Sequence, residues 1–515
     1  MSDPAVQGEW AIESEPPQNA PKKEFKGNPR LKAIDRQQLM FRTIDVESLI
    51  EEDHPARAIW AFTGQMDWSR FYSSILGVQG VAGRPTWDPR LLGSLWIYAY
   101  SRGIGSAREI ARRCAYDPAF QWLTGLQEVN YHTVADFRVD YKEPLDELFV
   151  QALGLLSAEG LITMERVMHD GTKIRACAGA DSFRREERIR KHLEAARTQV
   201  EAMGDPKAEP SVAQRAARKR AQSERAQRLE QALKELEKLR ESKSGAQAKE
   251  QARASETDPQ ARNMKQSDGG YAPSYNVQLS TDAAHGVIVG VGVSQSGNDY
   301  RELAAAVERV EHNTGCKPKQ VVADGGYTDR QNVQMMEEHE VDFIGSPTKQ
   351  NSSSMEQRGV TEAFHPKAFI YDTEQDLYRC PAGEMLRHAG TKKRTGAILH
   401  SYRAVATCCA ACPFKAQCCP GNATTGRSVV RTEESVSWRT FLAKMETDEA
   451  KAVYKLRGAV AEFPNAWLKD KLGLRYFHVR GLLKVGMESV WACLTYNIQQ
   501  WIRLSWRASA SPAAA

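Results

Sequence analysis

Nowhere in the 515 residues do 18 consecutive apolar side chains occur, so no stretch is suited to crossing a bilayer as a helix. The opening MSDPAVQGEWAIESEPPQNAPKKEFKG has no apolar signal core and reads as a flexible tail over residues 1–29. No membrane partner is indicated, and a cytoplasmic protein is the expectation. Net charge of one sign is scarce as well: 70 Lys and Arg against 65 Asp and Glu leave +5. That balance is uneven along the chain. From Lys451 to Arg507, ten Lys or Arg stand against three acidic residues, a local +7 that suits either a polyanionic partner or a solvated helical surface. Ten cysteines in a cytoplasmic chain are not expected to pair as structural disulfides. Six of them fall between Cys380 and Cys419, a clustering that needs another explanation.

Length and composition then set the scale. At 515 residues, with 41% hydrophobic and 26% charged side chains, two to four core-bearing units are expected. Residues 30–160 have a helical pattern. PTWDPRLLGSLWIYAY sets Leu92, Leu95, Trp96 and Ala99 at helical spacing, and SRGIGSAREIARRC offers a glycine turn, a Ser106 cap and Arg108, Arg112 and Arg113. NYHTVADFRVDY reads as a further helix, capped by Thr133. Short helices joined by tight turns fit a helix-turn-helix DNA reader, and they fit a plain helical bundle equally.

From Glu165 the period changes to that of strands. RVMHDGTKIRACA and YNVQLSTDAAHGVIVGVGVSQSG read as strands, the latter as two joined by a turn at Asp282 to Gly286. A helix over Asp299–His312, the strand KQVVADGGY, a helix over Asp329–His339 and the strand DFIGSP follow. That order indicates a mixed α/β sheet. Within it, Phe183–Ala202 and Val212–Lys243 are rich in Arg, Lys, Glu and Ala and are parted by GDPKAEP. Apolar stripes (Ile189, Leu193, Ala196, Val200; Leu229, Leu233, Leu236, Leu239) predict a charged helical hairpin inserted at about 183–250, serving as a solvated arm or as a DNA- or partner-binding one. The expected division is thus a helical N-terminal domain at 30–160, a mixed-sheet core at 161–349, a Cys-rich insertion at 350–439 with no helical period, and a helical C-terminal part at 440–507.

Two acids stand out. Asp170 (VMHDGT) and Asp324 (VVADGGY) each end an apolar strand and precede glycine, which suggests sharp turns that leave both carboxylates at a sheet edge. Singly, each Asp-Gly is an ordinary turn. As a pair on adjacent strands they would repel unless a cation lay between them. Hard oxygen ligands select Mg2+ or Mn2+, and two such ions roughly 3.5–4 Å apart activate a water or a 3′-hydroxyl and steady the leaving oxygen of a phosphodiester.

The order of segments resembles the DDE transposases of bacterial insertion sequences. It does so through EEDHPARAIW, GRPTWDP, LLGSLWIYAYSRGIGSAREIARRC, FQWLTG, HDGTKIRA, YNVQLSTD, VVADGGYTD and GLRYFHVRGLLKVGMESVWACLTYNIQQ. The resemblance runs from about Asn28 to Arg503. It implies a ribonuclease-H-like catalytic fold, double-stranded transposon-end and target DNA as partners, homo-oligomers on DNA, and strand cleavage and transfer with two Mg2+ or Mn2+ ions. It also implies a third metal-binding carboxylate, Glu462, on a helix with Tyr454, Arg457 and Lys469, the last two contacting phosphates. The catalytic and metal set is then Asp170, Asp324 and Glu462. The DNA-binding set is Tyr454, Arg457, Lys469, Arg108 and Arg112. Pro464 departs from the pattern and should kink the helix, which leaves Glu449 and Glu488 as competitors, Glu488 reading better as a structural carboxylate in an apolar helix. Asp282 and Asn276 could line the site or serve turns and caps. Lys173 and Arg175 alternate after Asp170, toward DNA. The alternative function is a transposase-derived, sequence-specific DNA-binding protein without catalysis.

The cysteine zone has its own chemistry. Cys409-Ala-Ala-Cys412 has the gap that lets two sulfurs reach one tetrahedral Zn2+, and with Cys380 and Cys418 a four-thiolate structural site is conceivable. A second two-residue gap is missing, and reduced thiols in a loop-rich insertion are the other reading.

Overall fold

Three helices near the start begin in the same way: a polar side chain, then proline. His54, Asp88 and Asp117 each accept a hydrogen bond from the second residue of the helix they open. Pro55, Pro89 and Pro118 fill the first position, where a missing N–H costs nothing. The computed structural model describes residues 37, 39, 41, 43–75, 77, 85–202, 212–347, 353–394, 397–420 and 425–506. The tail expected at 1–29, the GDPKAEP link and Arg507 lie outside them. The chain divides into a segment up to Asp45 and a unit from Val46 onward, and every described helix and strand belongs to the second.

The early helices are α1 (Pro55–Thr63), α2 (Pro89–Ser101), α3 (Ala107–Cys114), α4 (Pro118–Thr124), α5 (Tyr131–Asp140) and α6 (Lys142–Ala158). Ser106 caps α3 by accepting from the Glu109 N–H. Helix α5 is capped by Asn130, whose side chain accepts from the His132 N–H at 2.8 Å, and Thr133 lies inside the helix. The expected cap was three residues late: Asn130 stands at the true turn, with its side-chain oxygen in reach of the His132 N–H.

The central sheet comprises β1 (Arg166–Arg175), β2 (Tyr271–Asp282), β3 (Ile288–Ser294), β4 (Gln320–Ala323) and β5 (Asp342–Ile344). Spatially the order is β3-β2-β1-β4-β5. β1, β2 and β3 pair antiparallel, whereas β4 and β5 run parallel to β1. A short strand, Arg262–Lys265, also pairs with the start of β2. Between β1 and β2 rises the hairpin of α7 (Glu186–Ala202) and α8 (Val212–Glu241), which buries Ile189, Leu193 and Ala196 against Leu229, Ala232 and Leu236. Helices α9 (Glu302–Thr314) and α10 (Arg330–Glu338) connect β3 to β4 and β4 to β5, the crossover that parallel strands require.

The zone at 350–439 holds a second sheet that the sequence pattern concealed. Strands β6 (Ile370–Asp372), β7 (Leu377–Arg379), β8 (Met385–Arg394), β9 (Ala397–Ala404) and β10 (Ser428–Glu434) pair antiparallel in the order β10-β9-β8-β7-β6. Its core is small: Phe369, Leu386, Tyr402, Ala404 and Val429. With so few inward apolar residues, alternation was too faint to read.

The chain ends in α11 (Val436–Met445), α12 (Asp448–Arg457), α13 (Phe463–Asp470) and α14 (Leu482–Trp501). Helix α14 is buried almost all round and packs on β3, α6 and α2. The core does not stop at residue 160: Trp96, Phe137 and Leu148 belong to one apolar cluster with Val277, Ile288 and Trp491. Phe62 meets Trp501 at 4.9 Å between ring centroids. A polar knot ties the same elements. Buried Glu488 accepts from Arg138 Nη1 at 3.3 Å, the Tyr100 hydroxyl at 3.3 Å and the His478 N–H at 3.0 Å, and His478 Nδ1 stands 2.9 Å away.

Candidate active site

The parallel register of β1 and β4 fixes the site. His169 pairs with Ala323, so the next residues, Asp170 and Asp324, occupy equivalent positions on neighbouring strands. β4 ends there and β1 does not. Asp170 pairs with Leu279 and Gly171 with Gln278, and the strand continues to Arg175 opposite Ser274. The expected turn at Asp170-Gly171 is therefore absent, because β2 goes on pairing with β1 beyond the end of β4. Glycine is present at 171 for closeness. A Cβ there would lie 2.5 Å from Gln278 Nε2 and 2.8 Å from both Asp299 Oδ1 and the Tyr327 hydroxyl. At Asp324 the chain does turn: Oδ1 accepts from the Gly326 N–H at 2.7 Å, and the main-chain oxygen accepts from the Tyr327 N–H at 3.1 Å.

On one side of β1, Asp170 faces α12 and α13. Asn465 Nδ2 donates to Asp170 Oδ2 at 2.9 Å, and Arg457 Nη1 stands 3.8 Å from Oδ1. Burial, opposed by Arg457 and reinforced by Asp324, pushes the Asp170 carboxyl up to about 6. Burial also lowers Lys469, against the pull of Asp170. On the other side lies a polar layer. His169 sits 2.9 Å from both Ser280 Oγ and Gln278 Oε1, the Tyr327 hydroxyl donates to Gln278 Oε1 at 2.6 Å, and Asp299 Oδ1 accepts from Asn276 and Gln278. Burial takes His169 down to about 4, so it is neutral near pH 7.

Glu462 ends a five-residue π-helical segment, Gly458–Glu462, between α12 and α13. Pro464 sits in the first turn of α13. Lacking an N–H, it cannot close the usual α-helical bond, and the local widening absorbs the defect without the sharp break expected of it. The extra residue changes the helical phase, so Asn465 turns inward to Asp170. Glu462 is 60% exposed and pairs with Arg457 Nη2 at 3.1 Å. Arg457 thus spans Asp170 and Glu462, and its guanidinium lies 5.9 Å from the half-buried Tyr454 ring. Among the described residues, no three His, Cys, Asp or Glu side chains stand close enough together to grip one ion.

The remaining candidates are scattered. Glu449 is exposed in the first turn of α12. Glu488 is in the buried knot, and Asp282 caps a turn by accepting from the Thr163, Met164 and Ala284 N–H groups. Asn276 does line the polar layer. Lys173 donates to the Lys265 main chain, and Arg175 lies exposed at the far end of β1. Arg108 and Arg112 are exposed on α3, far along the chain from the aspartates; Arg108 lies over the Tyr131 ring, and Arg112 pairs with Glu109. Sequence reasoning missed Asn465, Asp299, Gln278, Tyr327 and His169. Only Asn465 carried a signal, one helical turn beyond Glu462.

Two family models match. "Transposase domain (DUF772)" matches residues 44–140, and "Transposase DDE domain" matches residues 379–502. One covers α1 to α5, the other β8 to β10 of the second sheet together with Arg457, Glu462 and Lys469; Asp170 and Asp324 lie between the two. The chain is a transposase. It belongs with the DDE transposases of insertion-sequence type. No curated protein matches. A solved synaptic complex of piggyBac transposase with hairpin DNA aligns at a TM-score of 0.31 and 8% identity, over 90% of this chain and 76% of that one.

Proposed function

We propose that the protein binds the double-stranded ends of an insertion sequence and catalyses metal-dependent DNA strand cleavage and strand transfer, working as a homo-oligomer on DNA in the cytoplasm. The observation that carries this is the pair Asp170 and Asp324 on neighbouring parallel strands, faced by Arg457, Asn465, Lys469 and Glu462. The sheet order, with an antiparallel β1-β2-β3 unit and parallel β4 and β5 on the other side of β1, supports a ribonuclease-H-like core.

The donor set suits two divalent cations, Mg2+ or Mn2+. Asp170 is held in a low-dielectric place that disfavours its charge. Arg457 stands between it and Glu462 as a substitute cation. Asn465 Oδ1 is buried without a hydrogen-bond partner. Asp170, Asp324 and Glu462 would hold the ions, whose chemistry is to activate a water or 3′-hydroxyl and to stabilise the leaving oxygen. Asn465 orients Asp170 by its amide N–H. Once freed from the two carboxylates, Arg457 binds a non-bridging phosphate oxygen, as does Lys469. Arg108 and Arg112 contact the duplex backbone.

A DNA-binding descendant without catalysis would have no physical reason to hold a carboxyl in a buried place that disfavours its charge. The test is cleavage of transposon-end duplex in Mg2+ by wild type and Asp170→Ala. Equal cleavage by the two would refute the catalytic reading.

A further inference from the structure

The two faces of the second sheet differ in character. Residues directly opposite one another in an antiparallel pair point to the same side, so the register sorts them. Tyr371, Tyr378, Leu386, Tyr402, Ala404 and Val429 share one side. That side is closed. It holds the small core, and the cysteine segment from Ala406 to Pro420 lies against it, its sulfurs lining a cavity together with Cys380, Leu386 and Ala404. Among the described residues no three Cys, His, Asp or Glu side chains stand close enough to hold one ion. The four-thiolate site conceivable for Cys380, Cys409, Cys412 and Cys418 is therefore not formed, and these are free thiols covering a core.

The opposite side carries cations. Arg387 stands directly opposite Arg403, and Arg379 lies diagonally from Arg387, which faces Leu377. Lys392 follows on the same side, opposite Leu399. All four are exposed, and none has an ion pair or side-chain hydrogen bond among the described residues. Like charges set opposite each other on neighbouring strands, with Cα atoms about 4.5–5.5 Å apart, weaken a sheet. No carboxylate on this side relieves them. Asp372 accepts from the Glu374 and Gln375 N–H groups, and Glu434 pairs with Arg330. Ile370 and Met385, also exposed on this side, are held apart by Arg379, so charge rather than apolar area is what the face offers.

We propose that this face is a DNA contact, on which Arg379, Arg387, Lys392 and Arg403 bind the sugar-phosphate backbone of the duplex. This rests on the reading above that the protein binds double-stranded DNA, and it adds a surface beyond the one beside the aspartates. A phosphate backbone removes the fault in the sheet: each guanidinium gains a phosphate oxygen, and the repulsion between Arg387 and Arg403 gives way to two attractions. Side chains on alternate residues of a strand project in a row, which suits a linear run of charge. Such contacts hold DNA in place without reading its sequence. The face is also tied to the catalytic sheet. Glu434, at the end of β10, accepts from Arg330 Nε and Nη2, and Arg330 opens α10 after the turn at Asp324.

The test uses the full chain, titrated by fluorescence anisotropy with transposon-end duplex and with an unrelated duplex over a series of salt concentrations. Arg387→Ala with Arg403→Ala should weaken binding to both duplexes by the same factor and reduce the slope of log K against log salt by about 2. Arg379→Ala with Lys392→Ala should do the same, so the outcome does not hang on the folding of one variant. Lys415→Ala, at an exposed cation of the segment that covers the other side, should keep the wild-type slope. A wild-type slope in either pair, while the wild type itself binds duplex DNA, would overturn this face and leave the DNA reading standing. A wild type that binds neither duplex would remove both. Loss confined to the transposon-end duplex would also overturn the proposal, because backbone contacts weaken all sequences alike. So would variants that keep the DNA slope but lose retention on polyglutamate, which would make the partner an acidic protein.

Discussion

Asp170-Gly171 and Asp324-Gly325 are the same dipeptide at the same level of one sheet, and the chain treats them in opposite ways. At the first, the backbone stays extended because β2 keeps pairing with it, and the missing Cβ makes room for Gln278, Asp299 and Tyr327. At the second, no strand continues and the carboxylate folds back onto the Gly326 N–H. A motif of two residues is thus a permission rather than a shape. What decides is whether a neighbouring strand goes on offering hydrogen bonds.

The largest effect should come from the carboxylates themselves. Asp170→Ala and Asp324→Ala should each lower strand cleavage by several orders of magnitude while end-DNA binding persists in gel shifts, since in the proposed reaction both differently folded dipeptides would deliver ligands to the same ions. Glu462→Ala should match them and Glu449→Ala should not. If Glu449→Ala were the damaging variant, the third ligand would be misassigned.

The glycines separate the two cases more finely. Gly171→Ala should destabilise by about 1–3 kcal/mol through overpacking, whereas Gly325→Ala, whose Cβ would meet the Ser346 main-chain oxygen at 3.3 Å and its Cβ at 3.9 Å, should stay under about 1 kcal/mol. Urea midpoints measured side by side decide it, and equal losses would dissolve the distinction.

A third test isolates Asp170 burial. Its carboxyl titrates in the folded protein near 6 and when unfolded near 3.8, so the folded state binds the extra proton. Stability from this group is full below the unfolded value and is lost as pH rises through the folded one. In chelator, Asp170→Asn should therefore gain on wild type between pH 4 and 7, by roughly 2–3 kcal/mol at the upper end. Thermal or urea unfolding that shows parallel pH profiles would reject this.

The smallest effect lies away from the sheet. In the full chain, Arg108→Ala with Arg112→Ala should weaken end-DNA binding and reduce the slope of log K against log salt by about 1–2. An unchanged slope would remove α3 from the DNA interface. Residues 46–160 made alone should give no folded species by circular dichroism, because their core is shared with β2, β3 and α14.

Much of the architecture could be read from local chemistry. The Ser106 cap, the apolar stripe of α2, the strand pair at Tyr271–Ser294 and the charged hairpin all rest on neighbours in sequence. The pair Asp170 and Asp324 was visible because each ends or interrupts an apolar run. Asp299, Gln278 and Tyr327 were not, since only the register of β1 on β2 and the turn after β4 bring them together. The second sheet stayed hidden for another reason, its five-residue core being too thin to impose a pattern. The π-helical segment shows a third kind of miss: Pro464 announced a defect, and only packing decided that the defect would rotate Asn465 onto Asp170.

The Glu488 knot bears on when the protein becomes whole. Tyr100 and Arg138 wait for a carboxylate that lies 388 and 350 residues further along the chain. At ribosomal speeds that is on the order of 20–80 s. Until α14 emerges, Phe137 lacks its contact with Trp491 and α2 lacks the helix that packs on it, so the nascent chain must pass that interval with apolar surface uncovered. Early helices that carry Arg108 and Arg112 therefore take their final form only once the last helix has been made. A message broken anywhere before Leu482 should yield a chaperone substrate rather than a truncated DNA binder able to compete with the intact enzyme at its ends.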